Sequence, residues 1–305
     1  MKNAVGVFSM LCASACCSSL PNAPLKQVTA LAVTPADHGV QESSAVWRDE
    51  RRSREVPVHL YVPSGSGTRW PVVIFSHGIG EDRDSYAYVG RALAQNGFLA
   101  VHITHAGTDK AVLKRGYWKL YRATKDPENW RNRPLDVSFV IDRIAARPDV
   151  DMSRIAVAGH SAGAFTAFAV AGVHGPNGEG MRDDRVRVIV AMSMPKIEGL
   201  SYDDVRVPAL NITGTCDSSL IYRTRPRDRR VPFDQTHAAH QYLVTIDRVD
   251  HNTFSSATDP HHELIMRMTI AFLRAWLFDD AQARAWFDDA GRVTIGKETM
   301  VVERK

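Results

Sequence analysis

In GHSAG, Gly159 to Gly163, a serine sits between two glycines, after the apolar run IAVA (Ile155 to Ala158) and before an alanine-rich segment starting at Ala162. A serine held at a sharp strand-to-helix turn has a strained backbone and an outward hydroxyl, so the residues two places away on either side must lack bulk. Gly159 and Gly163 meet that requirement. The chemistry implied is nucleophilic attack by Ser161, with the dipole of the following helix acting on developing negative charge.

A hydroxyl is a weak nucleophile without a base, and the base needs an acid to orient it. On a sheet of this kind the order along the chain is serine, acid, histidine, each on a loop after a later strand. PALNITGTCD ends a strand near Thr213 and delivers Asp217, and QYLVTIDRVDH ends a strand near Arg248 and delivers His251. Asp228 and Asp234 are the competing acids, and Asp250 adjoins His251 too closely in sequence to face it. Among the other histidines, His237 and His240 precede the last strand, and His261 and His262 open the last helix. His77 and His160 flank the site and are expected to hydrogen-bond locally. There is no HExxH and no paired Cys/His spacing, so neither a metal nor a cofactor is expected.

Acyl transfer also needs two N–H donors aimed at an oxyanion. The backbone amide of Ala162, directly after the nucleophile, is one candidate. The glycine-rich turn SHGIGE, Ser76 to Glu81, offers the amide of Ile79, with that of Gly80 as the alternative. Tyr117, Trp118 and Trp130, with Tyr121, lie in a long aromatic and basic stretch (Ala106 to Arg133) and are candidates for a substrate pocket or for packing beneath the loop.

These groups need a scaffold that brings distant strand ends together. WPVVIFSHG reads as a strand buried on both faces, and FLAVHIT, IAVA, Val186 to Met192, Ala209 to Thr213 and Tyr242 to Ile246 read as further strands. Helical spacing appears in Ser85 to Gln95, Pro134 to Ala146, Ala162 to Val173 and His262 to Leu277. Before them, Gln27 to Val33, Ser44 to Trp47 and Val56 to Tyr61 read as extended. Strands alternating with helices mean an α/β fold with a mostly parallel, doubly wound sheet. With about 16 residues or fewer separating Met192 from Ala209, no long helical cap is expected there, typical connections being of comparable or shorter length.

The chain has 305 residues, of which 44% are hydrophobic and 24% charged, as in ordinary globular proteins, and its net charge is only +4. Nothing in that balance implies nucleic acid as a partner. Five arginines between Arg223 and Arg230 read as a solvated loop, with an anion-binding role as the alternative. Cys12, Cys16 and Cys17 lie near the start and Cys216 alone in the body, which excludes a disulfide framework among body cysteines. Residues 1–25 read as a signal peptide and linker, with cleavage after Ala15, and residues 26–305 as one domain. Lipidation of Cys16 is the alternative, and Pro21 and Pro24 argue against a membrane span. The expected location is secreted or periplasmic. The oligomeric state is not legible.

SHGIGEDRDSYAYVGRALAQNGF, NRPLDVSFVIDRI, AVAGHSAGAFTA, NITGTCD and VDHNTF together resemble the α/β-hydrolase branch of dienelactone-hydrolase-like esterases and platelet-activating-factor acetylhydrolases, from about Val28 to Phe278. The resemblance implies a single α/β-hydrolase domain and a serine esterase preferring short or accessible acyl groups, with Ser161, Asp217 and His251 as its triad. A small-molecule ester is the substrate class it implies. Dienelactone hydrolases use a cysteine nucleophile, so serine at position 161 sets this chain apart from them.

Overall fold

The computed structural model describes residues 17–24, 37–65, 69–175, 180–289 and 291–305. The expected leader up to Cys16 and the expected strand Gln27 to Val33 lie outside the described residues.

Strands β1 (Val40–Asp49) and β2 (Arg54–Pro63) form an antiparallel hairpin around the charged turn. Then follow β3 (Trp70–Ser76), α1 (Ala87–Gln95) and β4 (Leu99–Ile103). Three helices, α2 (Lys110–Lys114), α3 (Tyr117–Ala123) and α4 (Pro127–Ile144), precede β5 (Val150–His160), α5 (Ala162–Ala171) and β6 (Val186–Met192). Next come β7 (Ala209–Cys216), a 3-10 turn (Pro226–Arg230), α6 (Val231–Gln235), β8 (Gln241–Asp250), α7 (His262–Leu277) and α8 (Ala281–Asp288). A hairpin of β9 (Gly291–Ile295) and β10 (Glu298–Arg304) follows.

Among the described residues ten strands join one sheet in the order β1-β2-β4-β3-β5-β6-β7-β8-β10-β9. From β4 to β8 every pairing is parallel, while β1, β2, β10 and β9 are antiparallel additions at the two edges. The apolar run of β3 is explained by burial on both faces. Val73 and Phe75 face a core with Leu93 of α1, Phe272 of α7 and Phe287 of α8, whereas Val72 and Ile74 face a second core with Val140 of α4 and Phe168 of α5. Helices therefore cover both faces, as a doubly wound sheet requires.

Parallel strands send their carboxyl ends to one edge, which is where open α/β sheets build sites. Here β3 delivers the Ser76–Gly80 turn, β5 delivers Ser161, β6 Ser193, β7 Asp217 and β8 His251. The connection 193–208 contains no helix, so no helical cap rises between β6 and β7.

Residues 17–24, read from composition as linker, are tied to this frame. A disulfide joins Cys17 to Cys216, the last residue of β7. The Ser18 amide donates to Thr215 O at 2.7 Å, and the Arg292 amide donates to Pro24 O at 3.1 Å. Cys216 thus has its partner outside the body cysteines, immediately before Asp217.

Candidate active site

Ser161 adopts φ 55° and ψ −116°, a conformation that costs an L-residue on the order of 1–3 kcal/mol and persists only where the surroundings enforce it. They do so by close packing: a Cβ on Gly159 would stand 2.4 Å from the Gly163 carbonyl, and one on Gly163 would stand 1.8 Å from Ser76 O. Any side chain at either position would therefore push the elbow off the β3 turn. The Ser161 amide is fixed on Met192 O of β6 at 2.9 Å. Its hydroxyl has no hydrogen-bond partner among the described residues, a looseness common where substrate completes the arrangement.

The turn after β3 lies against this serine. A Cβ on Gly78 would meet that of Ser161 at 3.5 Å. Within the turn, the Gly78 amide donates to Tyr86 Oη at 3.3 Å and the Gly80 amide to Thr108 O at 2.8 Å. Those engagements remove Gly80 from contention as an oxyanion donor. Neither the Ile79 amide nor that of Ala162 donates to another described residue.

A buried network braces the turn. His105 donates its backbone N–H to His77 Nε2 at 3.0 Å, so the His77 proton sits on Nδ1 and is given to Gly78 O at 2.6 Å. Ser76 Oγ donates to His105 Nε2 at 2.9 Å, and His105 Nδ1 donates to Asp136 at 3.0 Å. By connectivity this is a Ser-His-Asp relay. Its burial decides its role: Ser76, His105 and Asp136 are all 0% exposed, and Ser76 Oγ also accepts from Arg133 Nη2 at 3.1 Å. No substrate can approach it, and it serves as scaffolding. Arg133 donates as well to the His77 carbonyl. Asp136 is further held by Arg54 at 2.9 Å and Arg52 at 2.8 Å. Burial pushes His105 down to about 4, keeping it neutral.

At the ends of β7 and β8, His251 Nδ1 donates to Asp217 Oδ1 at 3.1 Å. Asp217 is fully buried, yet three other donors serve its carboxylate: Thr213 Oγ1 at 2.8 Å, Ser193 Oγ at 2.8 Å and Arg229 Nη2 at 2.9 Å. Burial alone would raise this carboxyl; the Arg229 cation, with His251 and Ser193, holds it well below the usual range for an aspartate. His251 is lowered from the ordinary imidazole value, chiefly by burial, with the Asp217 hydrogen bond opposing and Arg229 adding to the shift. Burial thus favours the neutral ring, the form that can take a proton.

His160 packs its ring 4.7 Å from that of His251 and is tied by Nδ1 to Tyr86 Oη at 2.9 Å, while His77 sits in the turn network, so both bond locally. The rival acids are engaged elsewhere: Asp228 accepts from the Arg225 amide and Asp234 pairs with Arg230. His261 bonds Asp259 and His262 stacks on Tyr88. Among the described residues no group of three His, Cys, Asp or Glu side chains could hold a metal.

The two long loops both reach the site. Leu113 of α2 and Leu120 of α3 lie 3.3 and 3.1 Å from where a Gly80 Cβ would stand, so these helices roof the turn. Trp130 packs edge-on against Phe165, one helical turn beyond Ser161, with its Nε1 donating to Thr124 O. Tyr117 and Trp118 are exposed on α3, at 45% and 72%. The arginine run departs from a simple solvated loop. Arg223, Arg225 and Arg227 are exposed, but Arg229 is buried on Asp217. Sequence reasoning missed Arg229, Ser193 and Thr213. Five similar arginines carry no mark of which one turns inward, and Ser193 owes its place to a positive φ of 56° that no residue-type preference announces.

The strand order, the helices on both faces and the serine elbow after β5 define the α/β-hydrolase fold. A family model described as "Serine aminopeptidase, S33" matches residues 68–182, a span that contains β3 through α5. The chain is also similar to the platelet-activating factor acetylhydrolase of Cavia porcellus, at 26% identity over 154 residues, covering 38% of this chain and 35% of that protein. The chain thus spans about a third of the length of that curated relative.

Proposed function

We propose that the protein is a serine hydrolase that cleaves carboxylic esters with short acyl groups. The observation that carries this reading is the convergence, at one sheet edge, of a strained serine and a paired imidazole and carboxylate beside two unengaged amides. His251 takes the proton of Ser161 as Oγ attacks the ester carbonyl. Asp217 fixes the imidazole tautomer with Nδ1 protonated, and the amides of Ile79 and Ala162 hold the tetrahedral oxyanion. His251 then returns the proton to the leaving alcohol, and water repeats the sequence on the acyl-enzyme. The peptidase name of the matching family favours a second reading, amide hydrolysis by the same groups.

The helix-free connection 193–208 supports an open site. Such a site buries few methylenes, and each contributes only about 0.8 kcal/mol when buried, so long chains gain little. Trp130 is a candidate wall for the acyl or alcohol group; Tyr117 and Trp118 could contribute at the rim only. A series of p-nitrophenyl esters set against a p-nitroanilide tests both points. The best kcat/KM is expected on acetyl to butyryl esters, falling by octanoyl, with the anilide slower. Faster turnover of palmitoyl than butyryl esters, at matched solubility, contradicts the open site.

A secreted or periplasmic location, or a lipoprotein anchored at Cys16, is supported by the Cys17–Cys216 disulfide, since such bonds persist in oxidising compartments. Cleavage after Ala15 leaves Cys17 in the chain. No helix among the described residues is long and apolar enough to cross a membrane.

A further inference from the structure

We propose that Arg229 is a positioning residue of the ester-cleaving site, locking the Asp217 carboxylate toward His251 and setting the electrostatic surroundings of the imidazole. The inference rests on the triad reading above. It starts from a location no surface arginine occupies: Arg229 is 1% exposed, in a run whose Arg223, Arg225 and Arg227 are exposed. A buried guanidinium is tolerated only when its donors are matched. Nη1 donates to Ser193 O at 2.9 Å and Met194 O at 3.0 Å, and Nε donates to Asp217 O at 3.2 Å. These three bonds clamp the loop after β6 to the loop after β7.

A clamp for carbonyls alone would leave the acid's side chain out. Instead Nη2 lies 2.9 Å from Asp217 Oδ1, the same oxygen that accepts from His251, and 3.1 Å from His251 Nδ1 itself. With Nδ1 protonated toward Asp217, the guanidinium acts on the ring as a fixed charge. Ser193 completes the arrangement: its hydroxyl donates to Asp217 Oδ1 and stands 2.6 Å from Nδ1, whose proton it can share. The charged and titratable groups around the imidazole are Asp217 after β7, Arg229 from the 3-10 turn, His160 from the elbow, and Asp250 at the end of β8. Arg229 itself faces Asp217, Asp228 and Tyr222. A paired carboxylate normally stabilises the imidazolium; a permanent cation on that carboxylate removes part of the effect and favours the neutral base.

The test compares Arg229→Met and Arg229→Lys with the unaltered enzyme on p-nitrophenyl butyrate across pH, beside Ser161→Ala. In Arg229→Met we expect kcat to fall on the order of tenfold to a hundredfold through misplacement, with KM little changed. The acidic limb of kcat/KM should move up by about one pH unit or more. Arg229→Lys, which keeps the charge and loses the fork, should keep the limb near its original position. An unmoved limb in Arg229→Met, whatever happens to kcat, overturns the inference. Should Arg229→Met fail to fold, Arg229→Gln, which keeps part of the hydrogen bonding and loses the charge, is assayed in the same way: an acidic limb moved up supports the inference and an unmoved limb overturns it. Turnover retained by Ser161→Ala would mark failure of the triad reading instead.

Discussion

One oxygen of Asp217 receives His251, Ser193 and Arg229, and the other receives Thr213, so the carboxylate has no freedom to rotate. An amide in its place would keep the shape and present an N–H where three donors converge, favouring the wrong imidazole tautomer. Asp217→Asn should therefore cut kcat by about four orders of magnitude with little change in KM. Asp234→Asn, which only releases a surface pair with Arg230, should leave turnover close to that of the parent. The reverse ranking in steady-state assays would move the acid to Asp234. Asp217 and His251, which the structure bonds to each other, could be nominated from sequence because each follows an apolar run at the expected place in the chain order. Arg229 could not be: burial of one arginine among five depends on where the 3-10 turn lands, which is a tertiary property. Ile79 could be put ahead of Gly80 on sequence, but only the bond from Gly80 to Thr108 O gives a physical reason.

At the scale of elements, α7 begins and ends where its apolar spacing predicts, His262–Leu277, because it is long and one-sided. Helix α4 is longer than its sequence signal. The spacing starts at Pro134, whereas the helix starts at Pro127 behind the Asp126 cap and Pro134 lies inside it. Helices α2 and α3 escaped notice because they run only 5 and 7 residues on either side of Gly116, too short for periodicity to speak. The hairpin of β9 and β10 turns at Gly296, φ 62°, a two-residue connection whose single glycine is a weak cue. The roofing of the turn by α3 makes a specific demand on Leu120, which is buried against Gly80. Leu120→Ala should cost about 2–5 kcal/mol of stability, as large-to-small core changes do, and lower kcat by loosening the Ile79 amide. Denaturant unfolding alongside turnover checks it; a stability loss with unchanged kcat would detach α3 from the oxyanion turn.

For the whole molecule, the site's buried histidines set a limit in acid. His77, His105 and His160 are lowered by burial, as His251 is, so the unfolded chain binds more protons than the folded one once pH falls below about 6.5. The stability present above that pH is lost as pH falls toward the folded-state values. The melting temperature should accordingly be lower at pH 5 than at pH 7.5, and an equal or higher value at pH 5 would contradict the neutral assignment of these rings. The overall architecture was readable because strand and helix periods alternate along most of the chain. The tie from Cys17 to Cys216 was not, since it joins residues 199 apart and no spacing rule selects that pair. Everything proposed for catalysis hangs on the serine at the elbow. The most direct test is Ser161→Ala, assayed by fluorophosphonate labelling and by turnover of p-nitrophenyl butyrate, with circular dichroism to verify the fold. Labelling should vanish and turnover should fall by at least about four orders of magnitude while the fold persists; retention of more than about a tenth of the activity, against that expected loss, would contradict the assignment of Ser161 as nucleophile.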